Sequence, residues 1–485
     1  MSRAGELVQA LAATAPRYSP ADRSRKRELL DALAAIEIRV PSALLRLHET
    51  LCFLQAYPDD PDILARVDRG LDAIPARVAR LRPAARTRLH GSGIAGTTLD
   101  YPFGLPMTRW LLARARGAVE IAWGKVRDEE RIDDVLALLV TKAEEDAFTE
   151  GGLGGRRWLD VATGGRRRAH LDALASVFAQ AALPGAVRDW LFETLELPVL
   201  WRLSNPALSR TMARLPHAPT IFHPDGPRRQ VDVIAEVKRP LGAIRRAARL
   251  EADALIDAAR LAMATREREL HCFSHPNPDD VWLADPEPGL RITLFGIRPE
   301  ARQSFEAYYG FLALKNGVPV SYGAGWCLFD ALEFAFNVFP SFRQGESTFV
   351  MSQVLRVYRQ HLGRTTFAID PFQIGRDNEE AIRSGAFYFY YRAGFRPLHA
   401  DVLRVLAGEE ARIARDAAYR SPPAVLRRLA RDEIHLRLDD RRTAPPRRVS
   451  ASDLAAVVTR WIAREHAGDR AAATRAYQRV GELLW

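Results

Sequence analysis

Asp232, Glu236 and Lys238 have the residue types and the spacing of a metal-dependent nuclease site. In a D…E-x-K pattern the two carboxylates hold Mg²⁺, and the lysine assists the attacking water. Such a site needs two adjoining strands, whereas the run VDVIAEV is one short segment that ends at Pro240. We therefore expect a short strand or the start of a helix here, with solvated charges.

A glycine-rich segment, HGSGIAGT at residues 90–97, matches the G-x-G-x-x-G pattern. This pattern binds dinucleotides where it joins a strand to a helix. The residues before it, RPAARTRLH, are polar and helix-like and contain no apolar strand. The sequence therefore predicts a loop between helices at this position.

His271, Cys272 and His275 carry side chains that zinc prefers, but no fourth ligand lies at a suitable spacing. The other cysteines, Cys52 and Cys327, are far away, and no CxxC pair occurs. We therefore expect neither a disulfide framework nor a bound metal.

The elements that must position any site divide the chain into four parts. Residues 1–203 are predicted to be helical, because apolar residues recur at three- and four-residue spacing in segments such as RKRELLDALAAIEI. Residues 204–229 lose this periodicity and accumulate prolines, which predicts a linker. Residues 230–400 mix helical and strand patterns, and residues 401–485 return to a helical pattern.

The clearest local signal is Asn316-Gly317, which joins two apolar, β-rich runs. This dipeptide favours positive φ at both central positions of a tight hairpin. The run ALEFAFNVF predicts another strand, STFVMSQVLRVYRQH at 347–361 predicts a helix, and TTFAID predicts a short strand. A further helix is predicted over 378–393.

From about residue 291 to 400, the predicted order is strand, hairpin, strand, loop, helix, strand, helix and a Gly-Phe exit. This order resembles the core of the GNAT acyltransferase superfamily, in which the fourth strand runs into a loop of the form V-x-P-x-x-R-x-x-G-x-G/A. The matching stretch here is VFPSFRQGES at 338–347. The whole chain also resembles a bacterial family of long proteins that carry such a domain after a helical half, which implies no activity. The expected fold is multidomain, α plus α/β, with a helical N-terminal domain, a GNAT-like mixed α/β domain and a helical C-terminal extension.

The resemblance implies that this loop holds the pyrophosphate of coenzyme A, because N–H groups and the positive end of a helix dipole favour an anion. Glu346 departs from the pattern, and we expect its carboxylate to use the dipole itself and to repel a diphosphate. The second glycine of the pattern is replaced by serine. The cofactor-binding residues implied are Val338, Phe339, Arg343, Gln344, Gly345, Ser347 and, near the next helix start, Asn378.

A second signature of the family, Tyr-x-x-x-Gly-Phe, matches residues 390–395. The resemblance implies that Tyr390 protonates the leaving thiolate, that Glu333 or Asp330 acts as the base, and that a backbone amide near Val338 or Phe339 meets the oxyanion. Tyr390 also belongs to a run of five aromatic residues, so a place in the core is the alternative.

The loop from Asp370 to Asn378 follows the predicted fifth strand, where the GNAT sheet splays open. Polar Gln373, Arg376 and Asn378 could orient a substrate there. The alternative is a simple connecting loop with Asn378 as the helix cap.

The net charge of +10 raises the question of nucleic-acid binding. Only five of the 70 basic residues are lysines, and most arginines lie along helices beside acidic residues, so we expect mainly solvated faces. No stretch of eighteen apolar residues occurs, and the N-terminal residues lack the apolar core of a signal peptide. We therefore expect a cytoplasmic protein with no membrane partner.

The function expected from the resemblance is an acyl-CoA-dependent N-acyltransferase that uses acetyl-CoA or another acyl-CoA and an unknown amine acceptor. Two alternatives stay open. An aminoacyl-tRNA-dependent transferase of GNAT-like fold would suit the altered loop and the excess of arginine, and it would bind tRNA. A catalytically inactive GNAT-like binding or scaffold module would suit the carboxylate of Glu346.

Overall fold

The computed structural model describes residues 2–216, 219–329, 331–439 and 450–484, and within them the chain is a mixed α/β protein. The N-terminal region is largely helical, and a large sheet lies in the second half of the sequence. In chain order the α-helices are α1 (Arg3–Thr14), α2 (Pro20–Ala35), α3 (Pro41–Ala56), α4 (Pro61–Asp72), α5 (Ile74–Arg80), α6 (Pro83–Thr87), α7 (Leu105–Arg114), α8 (Glu130–Ala137), α9 (Lys142–Thr149), α10 (Gly155–Ala162), α11 (His170–Gln180), α12 (Gly185–Thr194), α13 (Val233–Lys238), α14 (Arg249–Ala264), α15 (His271–Ser274), α16 (Ser347–Leu362), α17 (Pro371–Ile374), α18 (Glu379–Ser384), α19 (Ala386–Arg392), α20 (Ala400–Arg415), α21 (Pro423–Leu429), α22 (Ala451–His466) and α23 (Arg470–Leu484).

The strands are short in the N-terminal half and longer in the large sheet. They are β1 (Thr98–Tyr101), β2 (Val119–Ile121), β3 (Val199–Arg202), β4 (Arg245–Arg246), β5 (Pro276–Glu287), β6 (Leu290–Ile297), β7 (Ala307–Lys315), β8 (Val318–Leu328), β9 (Ala331–Val338), β10 (Thr366–Ile369), β11 (Arg396–Pro397) and β12 (Ile434–Arg437).

The first helices begin where local chemistry sets them. Ser19 and Asp22 form a reciprocal capping box at the start of α2, and Asp60 caps α4 through the Ile63 N–H group. Proline occupies the first helical position of α2, α3 and α4, where its missing N–H is not needed.

Contacts between Cα atoms divide the chain into two compact units. Unit 1 comprises Met1–Ala301, Tyr309–Ala324 and Phe336–His361, and unit 2 comprises Arg302–Tyr308, Gly325–Ala335 and Leu362–Trp485. The boundaries of these two units differ from the predicted domain boundaries, which stay predictions. Residues 204–229, predicted as a linker, are bonded within unit 1, where the His223 N–H donates to the Pro58 carbonyl at 2.8 Å.

Unit 1 contains a small sheet that the sequence did not predict. Strands β1, β3 and β2 pair antiparallel in that order, with Leu99 opposite Trp201 and Val119 opposite the same tryptophan. Their buried face joins a core built by residues between Leu99 and Leu203, together with Ala264. The region 1–203 is largely helical, as expected, but it also contains these strands of three or four residues, which pair over long sequence distances.

In unit 1 the strands of the large sheet follow the order β8, β7, β6, β5, β4. Strands β7 and β8 form the predicted hairpin, and both Asn316 (φ 48°) and Gly317 (φ 78°) have the positive φ of a primed turn. The Asn316 side chain donates to the Ala56 carbonyl at 3.0 Å and accepts from the Ile221 N–H at 2.9 Å. The turn therefore also anchors the chain around residues 56 and 221.

In unit 2 the strands follow the order β11, β12, β10, β9. Strands β9 and β10 are parallel, with Ala331 opposite Thr366 and Glu333 opposite Ala368, whereas β12 is antiparallel to both β10 and β11. A parallel pair needs a long crossover, and α16 lies in the chain between β9 and β10. Strand β12 lies within residues 401–485, where the sequence predicted a helical extension and no strand.

Candidate anion-binding loop and its supports

The loop that follows β9 in unit 1 runs through a 3₁₀ turn at Pro340–Phe342 and ends where α16 begins at Ser347, the predicted helix start. The Phe339 N–H donates to the Val320 carbonyl at 3.1 Å, and the Gly345 N–H donates to the Phe342 carbonyl at 2.9 Å. Because the Phe339 amide is part of the sheet, Val338 is the better placed of the two predicted oxyanion donors. The side chain of Val338 is half-buried at the end of β9.

Glu346 does not present its charge to the start of α16. The residue is 1% exposed, its Oε2 lies 2.9 Å from Lys315 Nζ, and its Oε1 accepts from the Arg228 N–H at 2.9 Å. Lys315 neutralises the charge of this carboxylate inside the protein. The expectation that Glu346 repels a diphosphate is therefore corrected. Sequence reasoning missed Lys315; a lysine inside the apolar run FLALK, next to a hairpin, was its only local signal.

Gly345 is needed because an aromatic ring lies against it. A Cβ atom at this position would lie 2.7 Å from ring atoms of Tyr57, the residue that follows α3. Burial, together with the Glu346 charge, raises the pKa of the Tyr57 phenol. The glycine thus allows a close approach between the loop and a helical segment of unit 1.

Two backbone N–H groups at the first turn of α16, those of Ser347 and Thr348, have no hydrogen-bond acceptor among the described residues. Both residues are half-buried. Helix-start N–H groups have no intrahelical acceptor and carry the positive end of the dipole. This is the part of the loop that can hold an anion.

Cationic and polar side chains surround these N–H groups. Arg343 and Gln344 are exposed on the loop, and the Ser347 hydroxyl donates to the Arg343 carbonyl at 3.4 Å. Arg229 fixes the loop from outside, because its Nε donates to the Gln344 carbonyl at 3.2 Å. The guanidinium of Arg228 lies 4.4 Å from the centre of the Phe349 ring. Because Arg228 pairs with Glu236, it is Arg343 together with the α16 start that favours a negatively charged ligand.

The two carboxylates predicted to act as the catalytic base are those of Glu333 and Asp330. Glu333 lies half-buried on β9 in unit 2, opposite Ala368, whereas Asp330 lies outside the described residues. Asn378 caps α18: its Oδ1 accepts from the Ala381 N–H at 3.1 Å and its Nδ2 donates to the Phe372 carbonyl at 3.0 Å. Capping accounts for Asn378, as the alternative interpretation of this loop expected.

Tyr390 lies in the core of unit 2. It is 3% exposed on α19, with its ring centre 5.6 Å from that of Phe395 and 5.2 Å from that of Phe389. The helix predicted over 378–393 is interrupted at Gly385, whose φ of 67° ends α18 before α19 begins. The burial of Tyr390 favours its role as a core residue, and its role as an acid stays a prediction.

The glycine-rich segment at 90–97 packs tightly in unit 1. Gly91, Gly93 and Gly96 all have positive φ, and a Cβ atom on Gly93 would lie 2.0 Å from the Thr265 carbonyl oxygen. The segment comes after α6 and leads into β1, so no strand precedes it. The segment is therefore a loop, as expected, but it joins a helix to a strand and not two helices, and its glycines serve the turn and the close approach.

Asp232 and Glu236 of the nuclease-like pattern also have structural roles. Asp232 caps α13 by accepting from the Ala235 N–H at 3.0 Å, and Glu236 pairs with Arg228 and Arg239. The region is thus the start of a helix, as expected. Within the described parts of the chain, no group of three or more His, Cys, Asp or Glu side chains could hold a metal ion.

No family model matches the chain, and neither a curated protein nor a solved structure matches it. Among the described residues, no helix is both long enough and apolar enough to cross a membrane.

Proposed function

We propose that the protein is an acyl-CoA-dependent N-acyltransferase in which the 338–347 loop and the start of α16 hold the diphosphate of the acyl donor. The observation that carries the proposal is the pair of N–H groups at Ser347 and Thr348, beside a Glu346 carboxylate neutralised by Lys315. The parallel pairing of β9 with β10, with α16 between them in the chain, supports the proposal because the resemblance implies this order.

The roles of the loop residues follow from their chemistry. The N–H groups and the dipole of α16 bind the phosphoryl oxygens, and the exposed Arg343 adds a guanidinium that can bind them in a bidentate manner. Val338 offers its backbone to the carbonyl oxygen of the acyl group, because the Phe339 N–H is committed to Val320. The acceptor amine must reach the thioester in its neutral form.

Reversing the charge at Arg343 tests this proposal. We expect Arg343→Glu to weaken acetyl-CoA binding by at least about tenfold, because it replaces a bidentate phosphate donor by a repelling carboxylate. Isothermal titration of the full chain measures the dissociation constant. Arg82→Glu is the matched control, since Arg82 is exposed on another part of unit 1, and it should bind as the wild type does. Wild-type protein that binds no acyl-CoA would contradict the proposal.

A second candidate function is a binding module without catalysis, and the burial of Tyr390 is the observation that favours it. Such a module would keep the loop and its ligand but would lack an acid for the leaving thiolate.

Tyr390→Phe separates the two functions. In the acyltransferase we expect this variant to lower kcat by about 10²–10⁴-fold at unchanged KM for acetyl-CoA, because only the proton donor is lost. Thiol release from acetyl-CoA with a series of primary amines measures the rate. Unchanged kcat would assign Tyr390 to the core alone, and wild-type protein without any turnover would favour the module.

A further inference from the structure

A cleft of about 560 Å³ opens in unit 1 where the residues just before and at the start of α2 face the segment 224–229. Three arginines, Arg17, Arg23 and Arg229, line it, and Asp225 is the one acidic side chain among its lining residues. The lining therefore has an excess of positive charge. Its volume lies within the range of small-molecule sites.

The arginines of the cleft differ from their neighbours on α2. Arg25 pairs with Glu28 at 2.9 Å, and Arg27 pairs with Asp60 at 2.6 Å. In contrast, the guanidinium groups of Arg17 and Arg23 make no ion pair or hydrogen bond with any described residue. Two forks of N–H donors are therefore available to a ligand at this place.

The third arginine is held in position from both sides. Arg229 donates from Nη2 to the Pro16 carbonyl at 2.6 Å and from Nε to the Gln344 carbonyl at 3.2 Å. These bonds use neutral acceptors, so the charge of the guanidinium is not cancelled. Because these bonds already hold the Arg229 side chain in place, little conformational entropy is lost on this wall of the cleft when a ligand binds.

The opposite wall is also rigid. The Tyr18 hydroxyl donates to the Tyr57 carbonyl at 3.0 Å, and Lys26 Nζ lies 4.0 Å from the centre of the Tyr18 ring. Lys26 is neutralised by Asp59 at 2.8 Å, with both side chains fully buried. Gly226, at a φ of 86°, lies against the same ring, where a Cβ atom would be 3.0 Å away. The cleft is thus preformed around a rigid aromatic side chain.

The geometry points to a binding site for a small phosphorylated molecule with at least two negative charges, such as a diphosphate. Planar guanidinium groups match phosphate oxygens in a bidentate manner, and two of the three here, those of Arg17 and Arg23, form no ion pair with a described carboxylate. A diphosphate can engage more than one fork at once, whereas a single carboxylate can satisfy only one. This site is formed by residues 16–23 and 224–229, and its occupation does not depend on acyl transfer.

Titration of the full chain with inorganic pyrophosphate tests the site. We expect saturable binding, and we expect Arg17→Gln combined with Arg23→Gln to weaken the binding at this site by at least about tenfold. The double lysine variant, R17K/R23K, keeps the charge but loses the forked donors. Its affinity for pyrophosphate should therefore lie between that of the wild type and that of R17Q/R23Q. The control R82Q/R88Q removes the same charge at exposed arginines elsewhere in unit 1 and should bind as the wild type does.

Three results would overturn the assignment. Absence of saturable pyrophosphate binding would remove the site, and equal weakening by R82Q/R88Q would reduce it to general surface charge. Loss of pyrophosphate binding in Arg343→Glu but not in R17Q/R23Q would place the anion on the 338–347 loop instead. Thermal unfolding of each variant checks that it is folded, and a parallel titration with ADP measures whether a nucleoside adds affinity.

Discussion

Replacing Lys315 by methionine is expected to lower the free energy of unfolding by about 3–5 kcal/mol. Lys315 and Glu346 are both almost fully buried, and their charged atoms lie 2.9 Å apart. Methionine keeps the length of the side chain but leaves the Glu346 carboxylate buried, with the Arg228 N–H at 2.9 Å as its remaining donor among the described residues. The cost is therefore mainly that of a buried charge without its counter-charge. Urea unfolding of the full chain measures it.

A second substitution should restore most of the loss. In K315M/E346Q the buried charge is gone, and the glutamine oxygen can still accept from the Arg228 N–H group. The exposed pair Arg25–Glu28 provides the control, because Arg25→Met should change stability by less than about 1 kcal/mol. Wild-type stability in Lys315→Met, or a double variant less stable than the single one, would contradict the assigned role of this pair.

Lowering the pH is expected to destabilise the protein through His223. Burial, together with the charge of Lys315, lowers the pKa of this imidazole from 6.5 to about 4. Below pH 6.5 the unfolded chain takes up a proton that the folded chain takes up only near pH 4, so stability falls across this interval. One pKa unit corresponds to about 1.4 kcal/mol, so the loss attributable to His223 is roughly 2–4 kcal/mol between pH 7 and pH 4.

Comparison with His223→Gln isolates this contribution from those of other groups. The variant cannot take up the proton, so its free energy of unfolding should fall less steeply between pH 7 and pH 4 than that of the wild type. Its backbone N–H can still donate to Pro58, which preserves the turn. Identical pH profiles for the two proteins would mean that His223 titrates normally in the folded state.

Local signals in the sequence were sufficient for part of the fold and of the loop. Asn316-Gly317 predicted a tight hairpin because few dipeptides accept positive φ at both positions, and that turn is present. The start of α16 at Ser347 and the strand at 366–369 were also predicted correctly, since each has its own periodic pattern.

Interactions over long sequence distances could not be predicted. The sheet of β1, β2 and β3 consists of strands too short for their own periodicity to be visible. The neutralisation of Glu346 depends on Lys315, and the need for Gly345 depends on Tyr57. Nothing near residue 346 in the sequence indicates either partner, so its carboxylate appeared exposed to a ligand when it is not.

The most direct test of the proposed function is a thermal-shift series on the full wild-type chain with coenzyme A, acetyl-CoA, longer acyl-CoAs and bulk tRNA. A ligand present at one hundred times its dissociation constant stabilises the folded state by about 2.7 kcal/mol, which raises Tm by a few degrees. The account predicts this rise with acetyl-CoA and a smaller rise in Arg343→Glu. A shift with tRNA alone, or no shift with any acyl-CoA, would contradict it.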